Sequence, residues 1–217
     1  MSENLKDIIA FVGVRSGSQR VLNKNIRPFG DTTLLDLKLK TLKKVKGLRN
    51  IVVSSDCPQM LDIASKYDVL LHERDSYYAS AKCSQSEYFS KITEMVDADN
   101  IMYCPVTSPF VTSKTYDRCI DLFQTHSNVV TTNLVKCHMW LNGKPINYDV
   151  MNAPNSQDLP DIHEINFGCC LISKMDLQKN KNFVSANPLF VPIDERESVD
   201  IDTEIEFNFA EYLYNKG

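Results

Sequence analysis

Strand-like and helix-like stretches alternate along most of the chain, and this alternation constrains the fold more than any other sequence feature. The segment Ile8–Val14 is apolar throughout, which is typical of a strand buried on both faces of a parallel sheet. Thr33–Val45 then has leucines on one helical face and lysines on the opposite face. The alternation predicts an α/β fold with a mostly parallel sheet and right-handed crossovers. Further strands are expected at Ile51–Ser54, Val69–Leu71, Ile101–Cys104, Val129–Leu134, Phe167–Ser173 and Pro188–Pro192, and further helices at Pro58–Lys66, Ser86–Val96, Lys114–Phe123 and Thr203–Tyr214.

One stretch, residues 136–165, interrupts the alternation. It is rich in Asn, Pro, Asp and Gly and has no helical periodicity. We interpret it as an insertion, either a β-ribbon or a dimerisation arm, within a single domain that spans residues 1–217. Trp140 in this insertion is compatible with a core residue, an interface residue or a platform for a sugar, and we expect a core or an interface.

Composition and charge exclude several classes of function. The chain has 217 residues with 43% hydrophobic and 24% charged, enough to form an ordinary core. The net charge of −4 argues against broad binding to nucleic acid or to a membrane surface. No apolar run reaches the roughly 20 residues that span a bilayer, and Ile8–Val14 lacks the flanks of a signal peptide. The seven scattered cysteines indicate a reduced, cytoplasmic protein.

A polar, basic loop, Arg15–Asn25, follows the first strand. In open α/β sheets, ligands bind at the carboxyl ends of parallel strands. Gly17 allows close approach of the backbone, and the serines and exposed N–H groups can bind phosphate oxygens. Arg15, Arg20 and Lys24 supply three cations suited to a triphosphate. The loop has neither the P-loop pattern nor a GxGxxG pattern, and a solvated basic turn remains an alternative.

Two aspartates, Asp200 and Asp202, precede the last expected helix. In an extended segment, residues two apart point to the same side, and two convergent carboxylates can bind a hard cation such as Mg²⁺. The alternative is helix capping by Asp202 or Thr203.

Three more loops follow strands and are expected at the same edge of the sheet as the basic loop. Each of them, taken singly, is also compatible with ordinary turn chemistry. They are Ser54–Asp56, Thr107–Pro109 and the stretch His72–Ser86.

Taken together and in order, several motifs resemble the acylneuraminate cytidylyltransferases (CMP-sialic acid synthetases), which are related to the CMP-Kdo synthetases. The first and last are the most specific, and the resemblance covers nearly the whole chain. It implies a three-layer, Rossmann-like nucleotidyltransferase fold with a small dimerisation arm. The motifs are VGVRSGSQRVLNKNI, IVVSSD, HERDSYYAS, CPVTSPF, QDLPDIHEIN and VDIDTEIEFNFAE.

The resemblance also implies an activity and a set of site residues. CMP would pass from CTP to a 2-keto-3-deoxy sugar acid of the sialic-acid type, with release of pyrophosphate, in a homodimer that uses Mg²⁺. Catalysis would rest on Arg15, Lys24 and Asp202, and the metal would be bound by Asp200 and Asp202. Nucleotide binding is expected at Arg15, Ser16, Gly17, Ser18, Arg20, Lys24, Asn25, Arg74 and Ser84, and acceptor binding at Ser108, Gln157 and Asn166.

The departures from the family pattern fall on the acceptor side. Pro105 stands where the family commonly has a glutamine, and the segment Arg74–Ala81 lacks the usual proline and acidic residue. A cytidylyltransferase for a different acidic acceptor, such as a phosphonate or a polyol phosphate, is therefore the alternative function.

Overall fold

A seven-stranded sheet forms the centre of the protein, for which a computed structural model describes residues 7–18 and 20–217. The strands are β1 (Ile8–Gly13), β2 (Pro28–Phe29), β3 (Thr32–Thr33), β4 (Asn50–Ser55), β5 (Leu70–Glu73), β6 (Asn100–Tyr103), β7 (Asn128–Val135), β8 (Trp140–Leu141), β9 (Lys144–Pro145), β10 (Ile162–Ser173) and β11 (Leu189–Pro192). The helices are α1 (Leu34–Leu42), α2 (Pro58–Ser65), α3 (Gln85–Met95), α4 (Ser113–Phe123), α5 (Lys174–Asn180) and α6 (Glu204–Lys216). Short 3-10 helices span Ser76–Ala79, Val150–Asn152 and Ser156–Asp158.

The strand order of the central sheet is β11-β7-β10-β6-β1-β4-β5. Every neighbouring pair is parallel except those made by β10, which runs antiparallel to β6 and to β7. The prediction of a mostly parallel sheet is therefore confirmed. The carboxyl ends of β1, β4, β5 and β6 meet at one edge, which is where the basic loop and the three other polar loops emerge.

Helices cover both faces of the sheet, which gives three layers. Successive residues of β1 point to opposite faces: Ile8, Ala10 and Val12 belong to one apolar cluster, and Ile9 and Phe11 to the other. Helices α1, α2, α4 and α6 pack on the first face, and α3 and α5 on the second. This explains why β1 is apolar throughout, as the sequence indicated.

Helix α1 begins after Thr33, whose side-chain oxygen accepts a hydrogen bond from the Asp36 N–H. Its leucines at the predicted spacing are buried (Leu34, Leu35, Leu39 and Leu42). The expectation that the lysines all lie on the opposite face is wrong for Lys38, whose side chain is buried among these leucines. Helix α5 was not predicted at all.

The irregular stretch contains a hairpin of β8 and β9, joined by Asn142 and Gly143, which both have positive φ (50° and 74°). Such a two-residue Asn-Gly turn matches the twist of a hairpin. Strand β10 starts at Ile162, so residues 162–165 belong to the central sheet and not to the insertion. Trp140 is 54% exposed and is therefore not a core residue.

No helix in the described ranges is long and apolar enough to cross a membrane.

Candidate functional site

Two cavities lie side by side at the carboxyl edge of the sheet. The first has a volume of about 470 Å³ and the second about 300 Å³. They share a wall made by Gln85, Tyr103, Pro105 and Thr107. Of the predicted residues, those that line the first cavity are Arg15, Ser18, Arg20, Lys24, Asn25, Arg74, Ser84 and Asp202, and those that line the second are Asn166 and Asp200.

The basic loop forms one side of the first cavity, and its shape is set by hydrogen bonds within the loop and to its neighbours. Asn25 is buried, and its Nδ2 donates to the carbonyl of Arg15 (3.1 Å). The Arg15 guanidinium donates to the carbonyl of Ala79 (2.6 Å), which joins the loop to the segment after β5. Lys24 donates to the carbonyl of Ile201. These bonds hold both ends of the loop in place, and Arg15, Arg20 and Lys24 line the first cavity together, as a site for phosphate groups requires.

Ser16 and Gly17 line a smaller side cavity of about 270 Å³ next to the first one. The carboxylate of Asp56, at the end of β4, accepts hydrogen bonds from the Ser16 N–H (2.9 Å) and from the Ser16 hydroxyl (2.5 Å). Burial works to raise the pKa of Asp56, but the hydrogen bonds from Ser16 outweigh it and hold the pKa below its usual value. Asp56 therefore holds the basic loop in place as a carboxylate, and the N–H and hydroxyl groups of Ser16 are used for this contact.

Arg74 lies beneath the first cavity and is 4% exposed. Its guanidinium donates to the Tyr88 hydroxyl (2.5 Å) and to the Val14 carbonyl, and lies 3.9 Å from the Asp56 carboxylate. Its Nε is buried without a hydrogen-bond partner among the described residues. A buried cation at this position adds positive potential to the floor of the cavity.

Asp202 faces the first cavity and Asp200 the second. Asp202 is paired with Arg20 (3.0 Å) and Lys24 (3.4 Å). Asp200 is an exposed residue, yet desolvation by the surrounding protein raises its pKa, and the negative charge of Asp202 adds to that rise. The helix cap is made by Thr203, whose hydroxyl accepts from the Glu206 N–H (3.3 Å), so the side chain of Asp202 is not used for capping.

The two carboxylates are hard oxygen donors of the kind that Mg²⁺ prefers, and their mutual repulsion would be relieved by a cation. Over residues 7–18 and 20–217, no three His, Cys, Asp or Glu side chains form a cluster that could hold a metal ion by themselves.

A chain of polar side chains forms the wall of the second cavity on β7 and β10. The Thr131 hydroxyl donates to Asn166 Oδ1 (2.7 Å), and Asn166 Nδ2 donates to Asn133 Oδ1 (2.6 Å). Asn133 Nδ2 donates in turn to the Glu164 carboxylate (3.1 Å). This chain places amide and carboxylate groups at the cavity surface, where they can bind the hydroxyl and N–H groups of a polar ligand.

Three predicted residues are placed differently from the rest. Ser84 lines the first cavity, but its hydroxyl is engaged with Glu87 in the capping box of α3. Ser108 is buried behind the shared wall, and neither cavity includes it. Gln157 lies on the arm and lines neither cavity; its carbonyl accepts from Lys136 (3.0 Å).

Sequence reasoning missed several residues of the site. Tyr88 and Gln85 of α3, and Glu164 of β10, were not singled out. Asp56 and Thr107, by contrast, stand in two of the loops that follow strands and were expected to reach this edge.

The overall structure matches that of the 4-diphosphocytidyl-2C-methyl-D-erythritol synthase of Anaerococcus prevotii DSM 20548 with a TM-score of 0.71. The match covers 98% of this chain and 100% of the other at 16% sequence identity, so it concerns the fold alone.

The sequence model of the family described as cytidylyltransferase matches residues 9–142, which is more than half of the chain. The protein therefore belongs to the cytidylyltransferase family, and the resemblance noted in the motifs is confirmed at that level.

Two relatives match over nearly their whole length. The post-translational flagellin modification protein B of Campylobacter coli is 23% identical, with 96% of this chain and 95% of the relative covered. The CMP-N,N'-diacetyllegionaminic acid synthase of Legionella pneumophila is 24% identical, with 95% of each chain covered.

Proposed function

We propose that the protein transfers CMP from CTP to a 2-keto-3-deoxy sugar acid of the sialic-acid type and releases pyrophosphate. The observation that carries the proposal is the pair of cavities with a common wall, with Asp202 in one and Asp200 in the other. Such an arrangement suits a reaction in which two substrates must meet at one phosphorus atom.

The first cavity suits the nucleotide. Arg15, Arg20 and Lys24 lie on its wall and Arg74 on its floor, so four cations surround the space for a triphosphate. In the proposed reaction, the anomeric hydroxyl of the acceptor attacks the α-phosphate and the bond to the departing pyrophosphate breaks. The basic loop would stabilise the charge that develops on the pyrophosphate.

Asp200 and Asp202 are the residues that would hold Mg²⁺. When bound, the ion would supply a positive charge that neutralises the phosphate and lowers the pKa of the attacking hydroxyl. The chain's own contribution is to hold both carboxylates at the boundary of the cavities, through the backbone contacts of Ile201 and the cap at Thr203.

The second cavity suits the acceptor, and the relatives indicate its class. The Legionella relative is named for a legionaminic acid, a sugar acid of this type, and covers nearly the whole chain. The polar wall of Asn133, Glu164 and Asn166 offers partners for the hydroxyl and acylamino groups that such acids carry. Pro105, which replaces the family's usual glutamine, lies on the shared wall, and in this proposal Asn133, Glu164 and Asn166 recognise the acceptor in its place.

Pyrophosphate release from CTP and Mg²⁺ across a panel of acceptors tests the proposal. The panel contains N-acetylneuraminate, a legionaminate, a pseudaminate, Kdo, a phosphonate and a polyol phosphate. We expect release with a nine-carbon sugar acid and its loss in Asp202→Ala. Release with only the phosphonate or the polyol phosphate would refute the sugar-acid assignment while keeping the nucleotide site. Full turnover by Asp202→Ala in Mg²⁺ would refute the metal assignment.

We further propose a homodimer that forms through the arm. Apolar side chains there are exposed, among them Trp140 (54%), Leu141 (61%) and Met151 (92%), and clustered exposed apolar groups mark interaction surfaces. A solution mass equal to one chain, measured by light scattering, would contradict this.

A cytoplasmic location is also part of the proposal. A reaction that consumes CTP, in a chain with seven unpaired cysteines, suits the reducing cytoplasm.

A further inference from the structure

Lys38 is an unusual residue for the middle of an apolar helix face. Its side chain is fully buried between α1 and α4 and reaches the loop that follows β6. Burial lowers the pKa of Lys38 to about 8, although nearby acidic groups oppose that shift. An ammonium group in such a place reduces stability compared with an apolar residue of the same shape, so stability alone does not account for it.

The ammonium group joins parts of the chain that are distant in sequence. It donates to the carbonyl of Ser108 (2.8 Å) and to the hydroxyl of Tyr116 (2.6 Å). The Tyr116 hydroxyl donates in turn to the carbonyl of Gly168 on β10 (3.2 Å). One buried cation therefore connects the loop after β6 to α4 and to the strand that carries the wall of the second cavity.

The first branch of this network leads to the two aspartates. Thr107, next to Ser108, lines both cavities, and its carbonyl accepts a hydrogen bond from the Ile201 N–H (3.0 Å). Ile201 stands between Asp200 and Asp202. The position of the loop after β6 thus determines where the segment that carries both carboxylates is held.

The second branch leads to the acceptor side. The N–H of Gly168 donates to Asn166 Oδ1 (3.1 Å), and Asn166 lines the second cavity. Neither Lys38 nor Tyr116 lines the first cavity. The network meets the basic loop only through the segment that carries the two aspartates, where Lys24 donates to the Ile201 carbonyl. The other hydrogen bonds that hold the basic loop, to Asp56 and Ala79, do not involve the network, so the acceptor wall depends on it more directly than the triphosphate site does.

We propose that Lys38 is a positioning residue that holds the Thr107–Ser108 loop, and through it Asp200 and Asp202, in register with the acceptor cavity. The expected changes in kcat and KM rest on the proposed function. The link between Lys38 and the Thr107–Ser108 loop can be measured without any acceptor. Its signature is a loss of turnover and of acceptor affinity with nucleotide binding preserved.

The test compares Lys38→Met, which keeps the length of the side chain but removes the charge, with Lys40→Met, which changes an exposed lysine of the same helix. In Lys38→Met we expect kcat to fall at least tenfold and the acceptor KM to rise, while the KM for CTP stays within twofold. Lys40→Met should match the wild type. A kcat within twofold of wild type, or equal losses in turnover and in CTP binding, would overturn the proposal.

Hydrogen exchange measured by mass spectrometry makes the test independent of the acceptor. Amide exchange in segments 105–109 and 199–203 should speed up at least tenfold in Lys38→Met and stay unchanged in β4. Unchanged exchange in both segments would overturn the proposal about Lys38, whether or not any acceptor is turned over. Faster exchange together with no turnover of any tested acceptor would count against the proposed function only.

If Lys38→Met does not fold, Tyr116→Phe interrupts the second branch instead. It should raise the acceptor KM without changing the KM for CTP, and an unchanged acceptor KM would then overturn the proposal.

Discussion

Replacement of Asp56 by asparagine should weaken CTP binding without unfolding the protein. The Asp56 carboxylate accepts two hydrogen bonds from Ser16, at 2.9 and 2.5 Å, and its side chain is 11% exposed. Hydrogen bonds to a charged group contribute about 1.5–3 kcal/mol each. Asparagine keeps the shape and one acceptor oxygen but loses the charge and the second acceptor. The loop is at the surface, so we take the lower part of that range, about 1.5–2 kcal/mol. In Asp56→Asn this free energy would have to be spent on ordering the loop when the nucleotide binds.

That free energy corresponds to a 10- to 30-fold rise in the dissociation constant for CTP, since about 1.4 kcal/mol changes an equilibrium tenfold. Isothermal titration calorimetry with CTP and Mg²⁺ measures it directly. Asp62→Asn, on the exposed side of α2, is the matched control and should leave the constant unchanged. A dissociation constant for Asp56→Asn within twofold of wild type would show that the basic loop does not depend on this anchor.

Two further predictions concern stability. Glu206 accepts hydrogen bonds from the N–H groups of Asp202 (2.8 Å) and Thr203 (2.7 Å), so Glu206→Ala should lower the free energy of unfolding by about 1 kcal/mol. The melting temperature should fall by about 2–4 °C, and an unchanged value would contradict the capping role. Because burial lowers the pKa of Lys38 from 10.5 to about 8, the unfolded state binds more protons between these values. The free energy of unfolding should therefore rise with pH from about 8 to 10.5, by about 3 kcal/mol relative to Lys38→Met in urea titrations, and parallel curves for the two proteins would refute it.

The sequence predicted those features that depend on local pattern. The run Ile8–Val14 indicated a strand covered on both faces because every one of its side chains is apolar, and β1 is buried in that way. The basic loop was placed at this edge because loops after parallel strands meet there, whereas the aspartate pair was singled out because residues two apart in an extended segment point to the same side. The antiparallel direction of β10 follows from the path of the chain through the arm, for which no local pattern exists. Helix α5 has only seven residues and little apolar periodicity, so it gave no helical signal.

The roles of Asp56 and Lys38 could not be predicted, for a shared reason. Both side chains bind groups that are distant in sequence, Ser16 and Ser108, so only the tertiary structure reveals their partners. For Lys38 a weak signal existed: it stands four residues after Leu34 and four before Leu42, on the apolar face of α1. A lysine in the centre of a leucine stripe is a conflict between local pattern and burial, and such conflicts are expected at functional positions.

The pairing of Asp202 with Arg20 leads to a last prediction about how Mg²⁺ and CTP bind. The carboxylate that would bind the metal lies 3.0 Å from Arg20, and both side chains are substantially exposed (67% and 44%). An exposed pair of this kind contributes about 0.2–1 kcal/mol, and this amount must be given up before Asp202 can bind a cation. Arg20→Met should therefore bind Mg²⁺ alone more tightly, by a factor of roughly 1.4 to 5, while it binds CTP more weakly because one phosphate partner is lost. Titration calorimetry with MgCl₂ measures the first effect. Weaker Mg²⁺ binding in Arg20→Met would mean that Arg20 orients Asp202 for the metal and does not compete with it.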